Sequence, residues 1–226
     1  MKAGVIGTGK TGGEVARLLG AELYDAWDEH NPPDSAGLAE ADVIIVFVPG
    51  NAAEEVLEKV LESGTPAVWG TTGYRWPENL ADRVKQADSR WIIASNFSLG
   101  MNLMRRCLEI LGRGVELLNS PELHIHEVHH IHKKDAPSGT ALSWREWLNL
   151  EGVKISSSRE GDVKGIHTLH IKTESESLWF KHEAHSRAVF AEGAIWAARY
   201  LIGHGEISPG LYSFESIVDQ AFRENS

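Results

Sequence analysis

Apolar positions in the first 95 residues of the chain fall into short runs that alternate with amphipathic stretches. This alternation is typical of βαβ units, in which helices cover a parallel sheet. Residues 31–39 contain two consecutive prolines, so we expect a loop or a single turn there. The pattern predicts strands at residues 3–6, 22–24, 42–48, 67–69 and 91–94 and helices at residues 11–19, 52–61 and 77–87.

The pattern changes after residue 96. A helix is predicted over residues 99–118, followed by a histidine-rich strand that ends near residue 133 and by a helix that opens at Pro137. Residues 167–173 and 178–183 alternate as antiparallel strands do, and residues 189–202 read as a long alanine-rich helix. The tail, residues 207–222, contains a Pro-Gly pair and a last amphipathic turn, and it could return to the first domain.

These elements predict an α/β chain with two domains. Residues 1–98 are expected to form a Rossmann-like, doubly wound parallel sheet that binds a dinucleotide. The C-terminal segment, residues 204–226, would complete this domain. Residues 99–203 are expected to form a second domain of the α+β type.

A glycine-rich loop directly follows the first predicted strand and precedes a helical stretch. It matches the G-x-G-x-x-G fingerprint of dinucleotide-binding folds, in which the helix N-terminus faces a pyrophosphate. A turn without a ligand is the alternative, and the position of the motif in the first βα unit makes it the weaker one. The loop residues are Gly7, Thr8, Gly9, Lys10, Thr11 and Gly12.

Further cofactor contacts are expected where other predicted strands end. Asp25 lies near the end of the second strand, where an acidic residue usually binds the adenosine ribose and disfavours a 2'-phosphate. Lys10 could reach such a phosphate, so both NADH and NADPH stay open, and Asp25 and Asp28 could equally be solvated loop charges. Two more segments could pass under the nicotinamide ribose, although each could be an ordinary turn: Gly70, Thr71 and Thr72, and Ala94, Ser95, Asn96 and Phe97.

Histidines and lysines cluster between residues 127 and 134. On an extended strand, Glu127, His129 and Lys133 share one face, and His130 and His132 share the other. A proton donor and a cation could therefore share one pocket. Any single histidine could instead be a structural hydrogen-bonding side chain, and the combination is what favours a functional site.

The predicted helix after this cluster offers an anion site at its N-terminus. Pro137 suits the first turn, and Asp135 or Ser138 could cap it. Backbone N–H groups of Gly139 and Thr140 would then bind a carboxylate, backed by the preceding lysines.

A metal site is the alternative use of the histidines. The pairs His124-x-His126 and His130-x-His132 could meet and bind zinc, but only their spacing supports this interpretation. We therefore predict no metal site.

Composition narrows the class of protein. A formal net charge of −10 opposes nonspecific binding to nucleic acid, so an anionic ligand needs a local basic cluster. The single cysteine, Cys107, excludes an internal disulfide framework and favours a reducing compartment. The N-terminus does not resemble a secretory leader, and no apolar run is long enough to span a membrane. We expect a cytoplasmic protein.

The segment from Glu127 to Ala141 resembles the signature of the 4-hydroxy-tetrahydrodipicolinate reductases, also called dihydrodipicolinate reductases. Other matching pieces occur in order along the chain, and they include Arg159-x-Gly161 and Gly165-x-His167. The resemblance implies reduction of 4-hydroxy-tetrahydrodipicolinate by NADH or NADPH in lysine and diaminopimelate biosynthesis. It also implies that the second domain binds the substrate and assembles the chain into a homotetramer.

By the same resemblance, His129 takes the acid/base role and Lys133 that of the proton donor. The resemblance weakens at Lys10 and Thr11, where Arg-Met is usual, and at residues 47–50, so it leaves the cofactor preference open. The implied substrate-binding residues are His130, Lys133, Ser138, Gly139, Thr140 and Arg187.

Three other functions remain possible at this point. The chain could be another nicotinamide-dependent dehydrogenase of a small dicarboxylate, a noncatalytic NADH-binding protein or a metal-dependent hydrolase. The first two fit the glycine-rich loop but do not require the segment from Asp135 to Thr140. The hydrolase would need no nicotinamide.

Overall fold

The computed structural model of the chain describes residues 1–203 and 207–224. Numbered in chain order, the strands are β1 Ala3–Ile6, β2 Leu23–Trp27, β3 Val43–Val46, β4 Ala67–Trp69, β5 Arg90–Ile93, β6 Glu122–His129, β7 Lys154–Arg159, β8 Ile166–Lys172, β9 Ser177–Glu183 and β10 Gly210–Ser213. The α-helices are α1 Gly12–Leu19, α2 Ser35–Ala39, α3 Ala53–Ser63, α4 Leu80–Gln86, α5 Leu99–Gly114, α6 Gly139–Leu148, α7 Ala188–Gly203 and α8 Phe214–Glu224.

The chain divides into two compact units. The first contains Met1–Ser98 and Arg187–Ser226, and the second contains Leu99–Ser186. The predicted class, a doubly wound parallel sheet followed by an α+β unit, is confirmed. Within the described ranges, no helix is both long and apolar enough to cross a membrane.

The first unit is built on a six-stranded parallel sheet in the order β10-β5-β4-β3-β1-β2. Every residue of β1, β3 and β4 is buried, because helices cover both faces of the sheet. The strand order reverses beside β1, and in such sheets ligands bind at the carboxyl ends of the strands at that point. The glycine-rich loop follows β1 and lies at this position.

The C-terminal part of the chain returns to the first unit. β10 pairs in parallel with β5, as the expected return of the tail requires. Part of the segment expected to complete the domain, residues 204–206 and 225–226, lies outside the described residues.

The prediction that residues 187–203 belong to the second domain is wrong. Helix α7 packs against α1, β3 and β4 of the first unit. A side chain at Gly193 would overlap the carbonyl oxygen of Phe97, so the helix and the end of the sheet are in close contact. The alanine-rich pattern predicted a helix correctly, but an apolar face alone does not say which sheet it covers.

The second unit contains a four-stranded sheet in the order β7-β6-β8-β9. β6 pairs in parallel with β7 and antiparallel with β8, which pairs antiparallel with β9. Helices α5 and α6 pack on one face of the sheet and bury Leu108, Trp144 and Leu148 with Ile125 and Leu169. This core fixes the position of β6 and of the N-terminus of α6. The predicted catalytic and substrate-binding residues lie on or next to these two elements.

The region from β6 to β7 differs from the predictions. The sequence did not predict β7, because five of its six residues are polar or charged and no apolar alternation marks it. Strand β6 ends at His129, several residues before the expected end, because residues 130–138 turn towards α6. Helix α6 begins at Gly139, and Ser138 caps it by accepting a hydrogen bond from the amide of Ala141 at 3.2 Å.

Candidate active site

The glycine-rich loop has the geometry that a dinucleotide requires. The amide of Gly7 donates to the carbonyl of Trp27 at 2.8 Å, and Gly7 has a φ of 92°, which favours glycine. A side chain at Gly12 would overlap the carbonyl oxygen of Gly7, so α1 starts in contact with the loop. A Cβ at Gly9 would meet no atom within 4 Å, which leaves room for a pyrophosphate beside the backbone.

Asp28, not Asp25, stands at the carboxyl end of β2. Asp25 is an exposed mid-strand residue whose carboxylate accepts from the amide of Ala26, whereas Asp28 follows the last strand residue. The carboxylate of Asp28 accepts a hydrogen bond from Thr8 at 2.7 Å, which joins it to the glycine-rich loop. Hydrogen bonds from Thr8 and from the amides of His30 and Asn31 lower the pKa of Asp28. Asp28 therefore occupies the end of the strand, where an acidic residue usually binds the ribose, and Asp25 as the ribose contact stays a prediction.

The other two expected cofactor segments also follow strands of the first sheet. Thr71 is buried after β4, and its hydroxyl has no hydrogen-bond partner within the described part of the chain, as expected of a group that awaits a ligand. Gly70 lies against the ring of Phe47, and Thr72 is exposed beside it.

The segment after β5 is partly structural. The amide of Ala94 donates to Trp69 at 3.0 Å, and Asn96 accepts from the amide of Ser98 at 2.8 Å. Ser95 is exposed. The ring of Phe97 is buried, with its centroid 4.8 Å from that of Phe214, so this side chain belongs to the core and leaves only its backbone for a cofactor.

The second unit contains a buried carboxylate–histidine pair at the end of β6. Glu127 is fully buried and accepts a short hydrogen bond from Nδ1 of His129, which is also buried. Burial raises the pKa of Glu127, but hydrogen bonds from Ser157, Arg159 and His129 outweigh it and lower this pKa to about 2. Burial lowers the pKa of His129 more than Glu127 raises it, so the imidazole is neutral near pH 7.

Arg159 binds the same carboxylate from the end of β7. Its guanidinium donates to both oxygens of Glu127 at 3.1 Å. It also donates to the backbone carbonyls of Lys133 and Asp135, in the turn that follows β6. One side chain therefore joins the buried carboxylate to the turn that carries the candidate proton donor.

A second buried histidine lies beside this pair. The rings of His167 and His129 are 5.1 Å apart, and Nε2 of His167 is 3.1 Å from the hydroxyl of Ser138. Burial, together with the neighbouring His129, lowers the pKa of His167 to about 3. His167 is therefore a neutral side chain that connects the end of β6 to the N-terminal cap of α6.

The residues of the expected anion site lie around the N-terminus of α6. Lys133 forms an ion pair with Asp135 at 2.9 Å. The hydrogen bond from Lys133 and a weaker one from the amide of Gly139 help lower the pKa of Asp135. These two donors are the ones expected for a substrate carboxylate, and in this structure the carboxylate of Asp135 contacts both, so the anion site stays a prediction.

The remaining predicted substrate contacts, His130, Thr140 and Arg187, lie on different parts of the chain. His130 is half-buried, and its Nδ1 has no hydrogen-bond partner among the residues that the structure describes. Thr140 lies in the first turn of α6. Arg187 is exposed and belongs to the first unit, immediately before α7, so its role as a substrate contact stays a prediction.

Two histidines of β6 contact the same serine. His124 and His126 both approach the hydroxyl of Ser156, at 2.8 Å each. Across residues 1–203 and 207–224, no group of three or more His, Cys, Asp or Glu side chains is arranged to hold a metal ion.

Three residues of this site were absent from the predicted set: Glu127, Arg159 and His167. Each occurs in the segments that carried the resemblance, but only the structure brings them together. Glu127 also carried a signal of its own, because a charged residue on the inward face of a strand needs a partner.

Known proteins resemble the chain over nearly its full length. The 4-hydroxy-tetrahydrodipicolinate reductase of Thermosipho africanus is 34% identical over 98% of this chain and 100% of its own length. The enzyme of the same name from Bdellovibrio bacteriovorus is 33% identical over 96% of each chain.

Two further comparisons agree with these relatives. The structure of a dipicolinate-bound dihydrodipicolinate reductase from Paenisporosarcina sp. TG-14 superposes with a TM-score of 0.75 and 19% identity, and covers 95% of this chain and 98% of its own. This likeness supports the fold. The family described as "Dihydrodipicolinate reductase, C-terminus" matches residues 100–218, which include the whole histidine-rich site. The chain therefore belongs to the dihydrodipicolinate reductase family of oxidoreductases.

Proposed function

We propose that the chain reduces 4-hydroxy-tetrahydrodipicolinate to tetrahydrodipicolinate in lysine and diaminopimelate biosynthesis. The observation that carries this proposal is the arrangement of His129, Glu127 and Arg159 beside the Lys133 turn and the N-terminus of α6. This arrangement combines proton transfer with binding of carboxylates, which the reduction of a cyclic dicarboxylate requires.

The reaction needs one hydride, one proton and the loss of one water molecule. The 4-hydroxyl leaves as water, which gives a conjugated imine. The glycine-rich loop and Asp28 would hold the nicotinamide cofactor, which would supply the hydride to C4 of this imine. Negative charge then spreads over the ring, and a proton added at the ring carbon between C4 and the imine carbon neutralises it. The residues of the second unit must hold the two carboxylates and deliver this proton.

Lys133 and His129 suit different parts of the proton transfer. The ammonium group of Lys133 carries a proton that it can donate. His129 is neutral near pH 7, because burial lowers its pKa, so it acts as the acid/base partner that accepts or relays a proton. His130, Ser138, Gly139, Thr140 and Arg187 are the proposed contacts to the substrate carboxylates.

We propose NADH as the preferred cofactor. The carboxylate of Asp28 supports this choice, because it can accept hydrogen bonds from the ribose hydroxyls and would repel a 2'-phosphate. Glu29 adds a second negative charge at the same strand end. Lys10 is the nearby cation in the loop that would favour NADPH.

We also propose that the enzyme is a cytoplasmic homotetramer. The face of the second sheet opposite α5 and α6 supports association between copies, because Trp179 is 64% exposed there and stacks on His170 at 3.7 Å between ring centroids. The mass of the protein in solution, measured by light scattering, tests this assembly.

The reaction is tested by a coupled assay. The preceding synthase, supplied with pyruvate and aspartate semialdehyde, generates the substrate, and loss of absorbance is followed with NADH and NADPH separately. We expect oxidation that depends on the substrate and is faster with NADH. Folded protein that binds a nicotinamide but oxidises neither cofactor would contradict the proposed reaction.

The roles of the two site residues are tested in the same assay. His129→Gln and Lys133→Ala are each expected to reduce turnover by about 10²- to 10⁴-fold, the usual contribution of a positioned acid or base. The Kd for the nicotinamide should stay close to that of the wild type, because both residues lie in the second unit. Near-normal turnover in either variant would contradict the role assigned to that residue.

A further inference from the structure

We propose that Glu127 and Arg159 are positioning residues of the active site. Glu127 holds the proton of His129 on Nδ1 and so leaves Nε2 to act on the substrate. Arg159 holds Glu127 and the turn that carries Lys133 in fixed positions relative to each other. This inference rests on the proposed reductase function and adds two residues to its machinery.

Burial makes Glu127 an unusual residue that needs an explanation. Its side chain is 0% exposed, and a buried carboxylate is costly unless charged and hydrogen-bonding partners compensate for lost water. Its oxygens have such partners in His129, Arg159 and the backbone amide of Ser138 at 3.2 Å. Glu127 therefore stays ionised and acts only as an acceptor, which determines the tautomer of the histidine beside it.

The tautomer decides which ring nitrogen is available. A neutral imidazole has one N–H donor and one acceptor nitrogen, and the short contact with an ionised carboxylate places the N–H at Nδ1. Nε2 then carries the lone pair and is the nitrogen that can act on the substrate. A Cβ at Gly165 would lie 3.1 Å from Nε2, so a glycine keeps the space next to this nitrogen open.

Arg159 connects two segments of the site. Its guanidinium reaches both oxygens of Glu127 and the backbone carbonyls of Lys133 and Asp135. Because the planar fork of arginine presents several donors in fixed directions, one side chain can satisfy the carboxylate and the turn at once. Lysine in its place would keep the charge but lose most of these bonds.

The first test replaces the carboxylate by its isosteric amide. Glu127→Gln is expected to lower kcat by about 10- to 100-fold, which is the effect of removing groups that orient metal-bound histidines. KM should change little, because Glu127 is buried behind His129. The acid limb of the kcat profile should move to lower pH, because loss of the negative charge disfavours the imidazolium form of His129.

A readout independent of turnover comes from nitrogen NMR of protein labelled with ¹⁵N-histidine. The wild type should show His129 protonated at Nδ1, and Glu127→Gln should show a mixture of both tautomers. Arg159→Lys should give the same changes in smaller degree, and it provides the readouts if Glu127→Gln does not fold. Glu58→Gln is the matched control, because Glu58 also pairs with an arginine, Arg83, at 2.6 Å but on the surface of the first unit.

The outcomes separate this inference from the reductase function. Wild-type kcat and an unchanged Nδ1–H tautomer in Glu127→Gln would overturn the positioning role. If the wild type fails to reduce the substrate, the proposed function fails, while the NMR measurement, which needs no substrate, still decides whether Glu127 sets the tautomer. A loss of kcat that is equal at every pH, with an unchanged tautomer, would also overturn the positioning role. That pattern would indicate a purely structural role.

Discussion

Single residues distinguish the candidate cofactor contacts, and Asp28 is the clearest case. Asp25 and Asp28 are three positions apart, and sequence spacing alone does not separate them. The register of β2 does, because Trp27 pairs with Ile6 and the strand ends there. Asp28 thus faces the glycine-rich loop through Thr8, while Asp25 stays within the strand on the exposed side.

Replacing this carboxylate should weaken binding of NADH. Asp28→Asn is expected to raise the KM for NADH about 10- to 100-fold, since one hydrogen bond to a charged group contributes roughly 1.5–3 kcal/mol. The KM for NADPH should rise less or fall, because the repulsion of the 2'-phosphate is reduced. Steady-state kinetics with both cofactors measure the change.

Asp25→Asn is the matched control for this experiment. It makes the same chemical change three positions away, and we expect both KM values to stay within twofold of the wild type, because neutral surface substitutions change free energies by about 0.5 kcal/mol or less. A larger effect of Asp25→Asn than of Asp28→Asn would return the ribose contact to Asp25.

Among the structural elements, α6 links stability to the active site. Its N-cap Ser138 accepts from the amide of Ala141 and contacts His167, while Trp144 is fully buried against the sheet. The helix is therefore held at its N-terminus by the same residue that fixes the buried histidine.

Removing this cap should destabilise the protein. Ser138→Ala is expected to lower the free energy of unfolding by about 1–3 kcal/mol, because the cap is lost and a buried imidazole nitrogen loses its partner. Urea denaturation followed by circular dichroism measures the change. Ser138→Thr keeps the hydroxyl, so it should retain most of the stability, and equal losses in both variants would contradict capping as the cause.

The pH dependence of the whole molecule follows from its buried histidines. Burial lowers the pKa of His129, His167 and His182, and that of His167 falls from 6.5 to about 3. In the unfolded chain these groups regain their usual pKa values and bind protons more readily than in the folded protein. Stability should therefore be complete above pH 6.5 and should fall as the pH is lowered towards 3.

The size of this effect can be measured by the thermal midpoint as a function of pH. His167 alone should account for about 2 kcal/mol of lost stability between pH 8 and pH 5. Glu127 adds to the loss only below its unfolded pKa of 4.5, because its folded pKa is about 2. His167→Gln should flatten the dependence between pH 5 and pH 7, and an unchanged slope would mean that His167 does not titrate as the structure implies.

The sequence by itself determined the class of the fold and most of its elements. Strong apolar runs gave β1 and β4 at their observed bounds, and the glycine fingerprint placed the phosphate loop at the first strand end. The local signature from Glu127 to Ala141 also brought the histidines, the lysines and the cap of α6 together, because their chemistry lies within one short segment.

Only the tertiary structure decided which distant residues complete these sites. Arg159 reaches Glu127 because β7 pairs in parallel with β6, and the polar sequence of β7 gave no sign of a strand. Helix α7 packs in the first unit because its small residues fit that surface. An apolar pattern alone does not identify the surface that a helix covers. Local patterns report backbone periodicity, whereas strand pairing and helix packing depend on contacts between segments that are far apart in the chain.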